Sequence, residues 1–171
     1  MRAIVCGASH PKHFKIGAKL IMWWEETTAS HVYFYIKRAS GVHLLYQAVG
    51  SGTEFMGYAK FKEINTPIYE KEIEIEDERF QGLLDYLIPR LKLKYSRKHL
   101  AGLFIKRAAY YIFRAKIKNC FADKDAAQVC VEALCKMLNN QSIYTSAENP
   151  EDMGMQEAMQ MLRTMQGKQL I

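Results

Sequence analysis

The stretch SHVYFYIKRASGVHLLYQAV (30–49) sets the tightest limit on what this chain can become. Val, Tyr, Phe, Leu and Ile dominate two runs, 30–38 and 42–49, and only Ala-Ser-Gly lies between them. Branched and aromatic side chains suit a pleated, half-buried surface, and Gly41 suits a tight reversal, so the runs predict an antiparallel hairpin. The chain offers further strands to join it. RAIVCG (2–7) reads as a short buried strand. PIYEKEIEI (67–75) alternates apolar and charged residues with a period of two, as a half-exposed strand does.

Helical periodicity accounts for most of the remainder. Residues 13–26 carry apolar side chains at 16, 20, 21, 23 and 24, a helical stripe. GSGTEF (50–55) reads as a turn and MGYAKFKEI (56–64) as a short helix. Asp77 is placed to cap a helix through ERFQGLLDYLIPRLKL (78–93), which Pro89 should kink or end. A long helix is expected over 98–117, with Leu100, Phe104, Ala108, Tyr111, Ile112 and Ala115 as its core stripe and Arg107, Tyr110, Arg114 and Lys118 on another face. A helix begins near Cys130 and ends near NNQS. The last runs over 150–166, opened by Asn149 and Pro150. Strands early and helices late predict an α+β fold, a small antiparallel sheet packed against helices.

A chain of 171 residues, 49% hydrophobic and 25% charged, is of a size and composition to bury one core. No apolar run approaches the ~20 residues that span a bilayer. MRAIVCGASH lacks the basic-then-apolar pattern of a secretory signal, so a cytoplasmic or virion-associated protein is expected. Cys6, Cys120, Cys130 and Cys135 form no C-x-x-C pair, which argues for free thiols in a reducing compartment and against structural zinc.

Cys130 differs from the other cysteines. It opens, or nearly opens, a helix, where unpaired amides and the helix dipole stabilise a thiolate and can hold an oxyanion. Cys135 lies inside that helix among Ala133, Leu134 and Leu138 and reads as core, while Cys120 precedes the Asp/Lys-rich loop FADKD (121–125) with no dipole to activate it. His31 begins one hairpin strand and Gln47 lies on the next, roughly opposite. A thiol, an imidazole and a third polar group that orients the imidazole are what a sulfur nucleophile requires.

KLIMWWEETTASHVYFYI (19–36), LLYQAV (44–49) and NCFADKDAAQVCVEAL (119–134), in that order, resemble the circularly permuted NlpC-type papain-like superfamily, which includes YiiX-type hydrolases and the lecithin retinol acyltransferase relatives. Permuted members show a Ser-His pair opening a strand, a polar residue on the following strand, and a late Cys opening a helix as Cys-Ser-Glu. Those correspond here to Ser30-His31, Gln47-Ala48 and Cys130-Val131-Glu132. Two positions depart from the pattern: Val131 replaces a small polar residue, and Gln47 stands where many relatives have Glu. The resemblance spans roughly residues 2–138. It implies a permuted papain-like domain over 1–145, with a Met-rich helical extension over 146–171. It further implies acyl transfer through a Cys130–His31–Gln47 triad on a peptide or acyl substrate, without cofactor or metal.

Two peripheral features suggest partners. From Ile88 to Lys118 the chain has ten Lys/Arg and no acid, so Lys98, Lys106, Arg107, Arg114, Lys116 and Lys118 are candidates to meet an anionic surface: cell wall, phospholipid or nucleic acid. Met153, Met155, Met159, Met161 and Met165 form a segment that either packs on the domain or docks a protein partner through 150–166. Three functional expectations follow. The first is a cysteine hydrolase of an amide or ester, cell-wall peptide foremost, carried by a bacteriophage or virus particle. The second is a lipid-directed acyltransferase or thioesterase. The third is a non-catalytic binding protein that keeps the fold.

Overall fold

The computed structural model describes residues 2–13, 15–38, 40–119, 121, 127–144 and 149–171. In chain order its elements are β1 (Arg2–Pro11), α1 (Ile16–Trp24), β2 (His31–Ile36), β3 (Leu44–Val49), β4 (Gly52–Gly57), α2 (Tyr58–Ile64) and β5 (Asn65–Ile75). There follow α3 (Asp77–Leu87), β6 (Lys94–Tyr95), α4 (Arg97–Phe113), β7 (Ala127–Gln128), α5 (Cys130–Asn140), α6 (Met155–Thr164) and β8 (Lys168–Gln169). A six-stranded antiparallel sheet runs β4-β3-β2-β1-β5-β8, and β6 and β7 form a short parallel ladder. The architecture is α+β, and the hairpin of β2 and β3 forms as the two apolar runs predict.

Strand alternation sorts the sheet into two faces. Ile4, Cys6 and Ala8 of β1, Val32, Phe34 and Ile36 of β2, and Tyr46 and Ala48 of β3 turn towards α3, α5 and α6 and form the main core. Val5, Tyr33, Tyr35 and Leu45 turn the other way, onto Tyr58 and Phe61 of α2. There Glu70 is buried and accepts hydrogen bonds from the hydroxyls of Tyr33, at 2.7 Å, and Tyr58. A buried carboxylate is tolerated where donors replace its water.

Several local expectations change. GSGTEF is largely strand: Gly52 opens β4 with φ of 122°, and a Cβ there would lie 2.5 Å from the Leu93 carbonyl oxygen. That glycine serves a close backbone approach as well as a reversal. Asp77 does not cap α3, whose N-cap is Glu76; its carboxylate accepts from Arg2 Nε at 3.1 Å. Helix α3 ends at Leu87, two residues before Pro89, as its missing N–H requires. Helix α4 is capped by the Ser96 hydroxyl, which accepts from the His99 amide at 3.0 Å, and stops at Arg114 in a left-handed turn. It therefore ends short of 117, and its buried residues are His99, Gly102 and Leu103. Tyr111 and Ile112, expected in the core, are exposed.

The Met-rich segment belongs to the main core. Asn149 caps a single turn at Pro150–Asp152, and α6 then buries Met155, Ala158, Met159, Met161 and Leu162 beside α5. All five methionines are buried, so of the two expectations for 150–166, packing on the domain and docking a partner, the first describes what these side chains do. Lys71 Nζ donates to the Arg163 carbonyl at 3.0 Å and to that of Met165, tying the end of α6 to β5. Among the described residues no helix is long and apolar enough to cross a membrane.

Candidate functional site

Three elements converge where β2 and β3 part. Their ladder pairs Phe34 with Tyr46, Tyr35 with Leu45 and Ile36 with Leu44, and goes no further towards His31. Beyond Phe34 the Val32 amide is directed at a sulfur: it donates to Cys130, which opens α5 directly after the N-cap Val129. The amides of Cys130 and Val131 also face that sulfur. Three N–H donors on one thiol are the helix-entrance environment the sequence suggests.

Burial acts against those donors. Cys130 is 7% exposed, and loss of water pushes its thiol pKa up, with the Val32, Val131 and Cys130 amides opposing the shift. Cys6, by contrast, is pushed up to about 12 by burial alone. Cys135 reaches about 12 through burial and neighbouring acidic groups and is fully buried, as a core thiol should be. Cys120 lies outside the described residues.

His31 and Gln47 meet directly. His31 Nε2 and Gln47 Oε1 are 3.0 Å apart, spanning the gap that the strands leave. The amide nitrogen of Gln47 donates to Glu54 Oε1 at 3.0 Å, across the β3–β4 ladder that pairs the two residues. That bond fixes which end of the amide is the carbonyl. A carbonyl facing Nε2 requires a proton on Nε2, so neutral His31 carries its lone pair on Nδ1. Burial pushes the His31 pKa down to about 4, the Gln47 bond opposes this, and Lys15 adds to it. At neutral pH the site thus holds a thiol and a neutral imidazole.

The approach of thiol and imidazole is incomplete. The ring of His31 lies near Tyr33 and Phe61, at centroid distances of 6.4 and 6.3 Å, on the α2 side of the sheet. Cys130 reaches the strand from the α5 side, and no hydrogen bond joins it to His31 among the described residues. What links them is the backbone: the amide on the sulfur belongs to the residue after His31.

The sequence reading missed Glu54, Tyr95 and His99. Glu54 was hidden because β4 reads as a turn. Tyr95 lines the cavity at Cys130, and burial followed by the neighbouring sulfur pushes its hydroxyl pKa up, so it is a neutral donor. His99 is fully buried, with Nδ1 3.0 Å from Glu132 Oε2, while Lys136 Nζ lies 2.8 Å from Glu132 Oε1 and 3.1 Å from Glu151 Oε1. Gly102 faces this region: a Cβ there would sit 1.8 Å from Asn119 Oδ1, whose amide nitrogen donates to the His99 carbonyl at 3.1 Å. Among the described residues no group of three or more His, Cys, Asp and Glu is placed to hold a metal ion.

Two cavities define access. The one at Cys130, about 30 Å³, is lined by Ser30, Glu25, Tyr95, Leu103 and Met155 and has room for about one water. A groove of about 730 Å³ lies beside it and shares Glu25, Leu103 and Gly154 as walls. The basic residues do not form a single face around them. Lys106 donates to the Asp152 carbonyl, and Arg107 is held by Gln156, Tyr111 and Glu157. Lys98 sits at the opposite end of α4, about 24 Å of helix from Arg114. Arg114, Lys116 and Lys118 are exposed at the far end, Arg114 over the Tyr110 ring at 5.8 Å.

No family model matches this sequence, and no curated protein matches it either.

Proposed function

We propose that the protein is a papain-like cysteine hydrolase, of the permuted NlpC type, that cleaves an amide or ester by acyl transfer through Cys130. One observation carries the reading: the His31–Gln47 hydrogen bond lies where the next amide, that of Val32, meets the Cys130 sulfur. The chain order supports it too, with a histidine strand, a glutamine strand and a late cysteine helix packed on both.

The chemistry follows from the protonation states. For this chemistry the His31 ring, which rests on the α2 side of the sheet, must swing to the sulfur when substrate binds. Nδ1 then takes the thiol proton as the sulfur attacks the carbonyl carbon, because neither group is charged at rest. Gln47, oriented by Glu54, holds the imidazole through Nε2 and stabilises the imidazolium through its carbonyl dipole. The Cys130 amide and the Tyr95 hydroxyl are the donors offered to the oxyanion. The imidazolium proton then leaves with the amine or alcohol. Water, deprotonated by Nδ1, attacks the thioester, and that proton passes to the departing Cys130 sulfur, restoring the thiol and the neutral imidazole. A substrate reaches the sulfur from the adjoining groove, since the cavity at Cys130 is too small for an acyl group with its leaving group.

Intact-mass analysis after brief exposure to an activated acyl ester and to a cell-wall peptide tests this. A mass increase by one acyl group, lost in Cys130→Ala and much slowed in His31→Ala, is expected. An unmodified chain with both substrates overturns it.

A non-catalytic binding protein with the same fold is the second reading. The observation favouring it is the missing thiol–imidazole hydrogen bond, together with the raised thiol pKa.

A further inference from the structure

The large apolar side chains left in solvent are concentrated on neighbouring elements. Helix α1 buries none of its residues fully, and Ile16 (74%), Leu20 (46%) and Trp23 (72%) point outwards at helical spacing. The end of α4 and the segment after it expose Ile112 (70%), Phe113 (74%), Tyr110, Tyr111, Ile117 and Phe121. The two helices touch: Trp24 packs edge-on against Phe104 with centroids 5.7 Å apart, and the Tyr111 hydroxyl donates to Glu26 at 2.6 Å. The exposed residues of α1 and of the end of α4 therefore lie on neighbouring parts of the surface. Exposed apolar clusters of this kind mark an interaction site.

Cations predominate around them, with the exposed Glu26 taken up by the Tyr111 hydroxyl. Lys15 precedes α1 and Lys19 lies on it, beside Ile16 and Leu20, and Arg114, Lys116 and Lys118 interleave with Phe113 and Ile117, all in solvent. The stretch from Ile88 to Lys118 contains no acid. Aromatics and aliphatics alternating with cations suit an interface whose upper layer is anionic and whose next layer is hydrocarbon. Nucleic acid fits less well. Bases stack on aromatic faces, but Ile16, Leu20, Ile112 and Ile117 offer no such platform.

From this surface we infer that the protein docks on an anionic lipid bilayer, with Trp23 and Phe113 inserting at the headgroup boundary and Lys15, Arg114, Lys116 and Lys118 meeting the lipid charges. The docked face also carries Tyr110, Tyr111 and Lys116 of the groove that adjoins the Cys130 cavity, so the mouth of that groove faces the membrane. Docking rests on the surface alone and holds whether or not Cys130 is a nucleophile.

Co-sedimentation with phosphatidylcholine vesicles, with and without phosphatidylglycerol, tests it. The full chain is expected to sediment with the anionic vesicles only, and less so as salt rises. Lys116→Glu with Lys118→Glu should abolish binding, since each basic residue near such a surface is worth about fivefold in affinity. Trp23→Ala with Phe113→Ala, both at exposed positions, should weaken it at least tenfold, and Trp23 fluorescence should shift to the blue on binding. Cys130→Ala should bind as the wild type does, which separates docking from catalysis. Absence of binding to either vesicle, binding unaffected by these substitutions, lipid-free self-association abolished by Trp23→Ala, or preferential binding to a single-stranded oligonucleotide would each overturn the inference.

Discussion

Glu54 decides which way Gln47 faces: the Gln47 amide nitrogen donates to the Glu54 carboxylate at 3.0 Å, leaving the amide oxygen for His31. In the proposed mechanism, the Glu54 carboxylate behind Gln47 partly replaces the carboxylate that a Glu at position 47 would supply. The geometry also sets the tautomer, because only an Nε2–H imidazole can donate to that oxygen.

The tautomer is directly measurable. Nitrogen NMR of the labelled protein near neutral pH should show His31 with Nε2 protonated and Nδ1 bare. Glu54→Ala should let the Gln47 amide turn over and mix the tautomers, and any hydrolysis should fall by about tenfold or more, the scale on which positioning groups of this kind act. An unchanged spectrum in Glu54→Ala would mean that Gln47 is oriented by something else.

Alkylation of Cys130 should be slow at neutral pH and should accelerate with pH past the ordinary thiol value of ~8.5, because burial favours the uncharged form. His31→Ala should leave that dependence in place. A rate already at its plateau below pH 7 would instead indicate a thiolate–imidazolium pair.

His31 makes stability pH-dependent in a defined window. Its folded pKa of about 4 lies below the 6.5 of the free side chain, so between those values the unfolded chain binds the extra proton. Stability is therefore full above about pH 6.5 and falls as the pH drops towards 4, by at most about 3 kcal/mol. Urea unfolding across this range should show the slope, and His31→Asn should flatten it.

Glu132 is an acid with no exposure that His99 and Lys136 approach from two sides. Glu132→Ala leaves Lys136 with Glu151 alone and empties the buried site beside His99, and should lower the urea midpoint at unchanged slope by an amount worth about 2–3 kcal/mol. Glu132→Gln should cost less, since the amide keeps one bond to Lys136 or to His99. Equal stability in all three proteins would show that the cluster relaxes around the loss.

Much of this was legible in residues 30–49 and 130–138. Two β-rich runs around Gly41 had to pair, and an apolar helix with a cysteine at its head had to cover them. What stayed hidden depends on neighbours that periodicity does not identify. The helix stripe through Tyr111 and Ile112 is real as a pattern, but among the described residues that end of α4 meets the polar Glu26 rather than an apolar face, so the stripe remains in solvent. Likewise Gly52 reads as a turn residue because nothing local announces the Leu93 carbonyl beside it, and with β4 went Glu54. The His31–Gln47 contact was approachable by counting from Gly41. The Val32 amide on Cys130 was not, because it depends on where the β2–β3 ladder stops.

The core face of β1 is completed late. That strand lies between β2 and β5, and its inward residues are covered by α5 and α6, more than 120 residues further along the chain. The first strand therefore cannot bury its side chains until the last helices exist. Loop-closure entropy must be met before the contacts that repay it form. During synthesis the nascent sheet has to wait with one side uncovered. Folding from denaturant should likewise pass through that exposed state and be correspondingly slow, vulnerable to aggregation and sensitive to any early release of the chain.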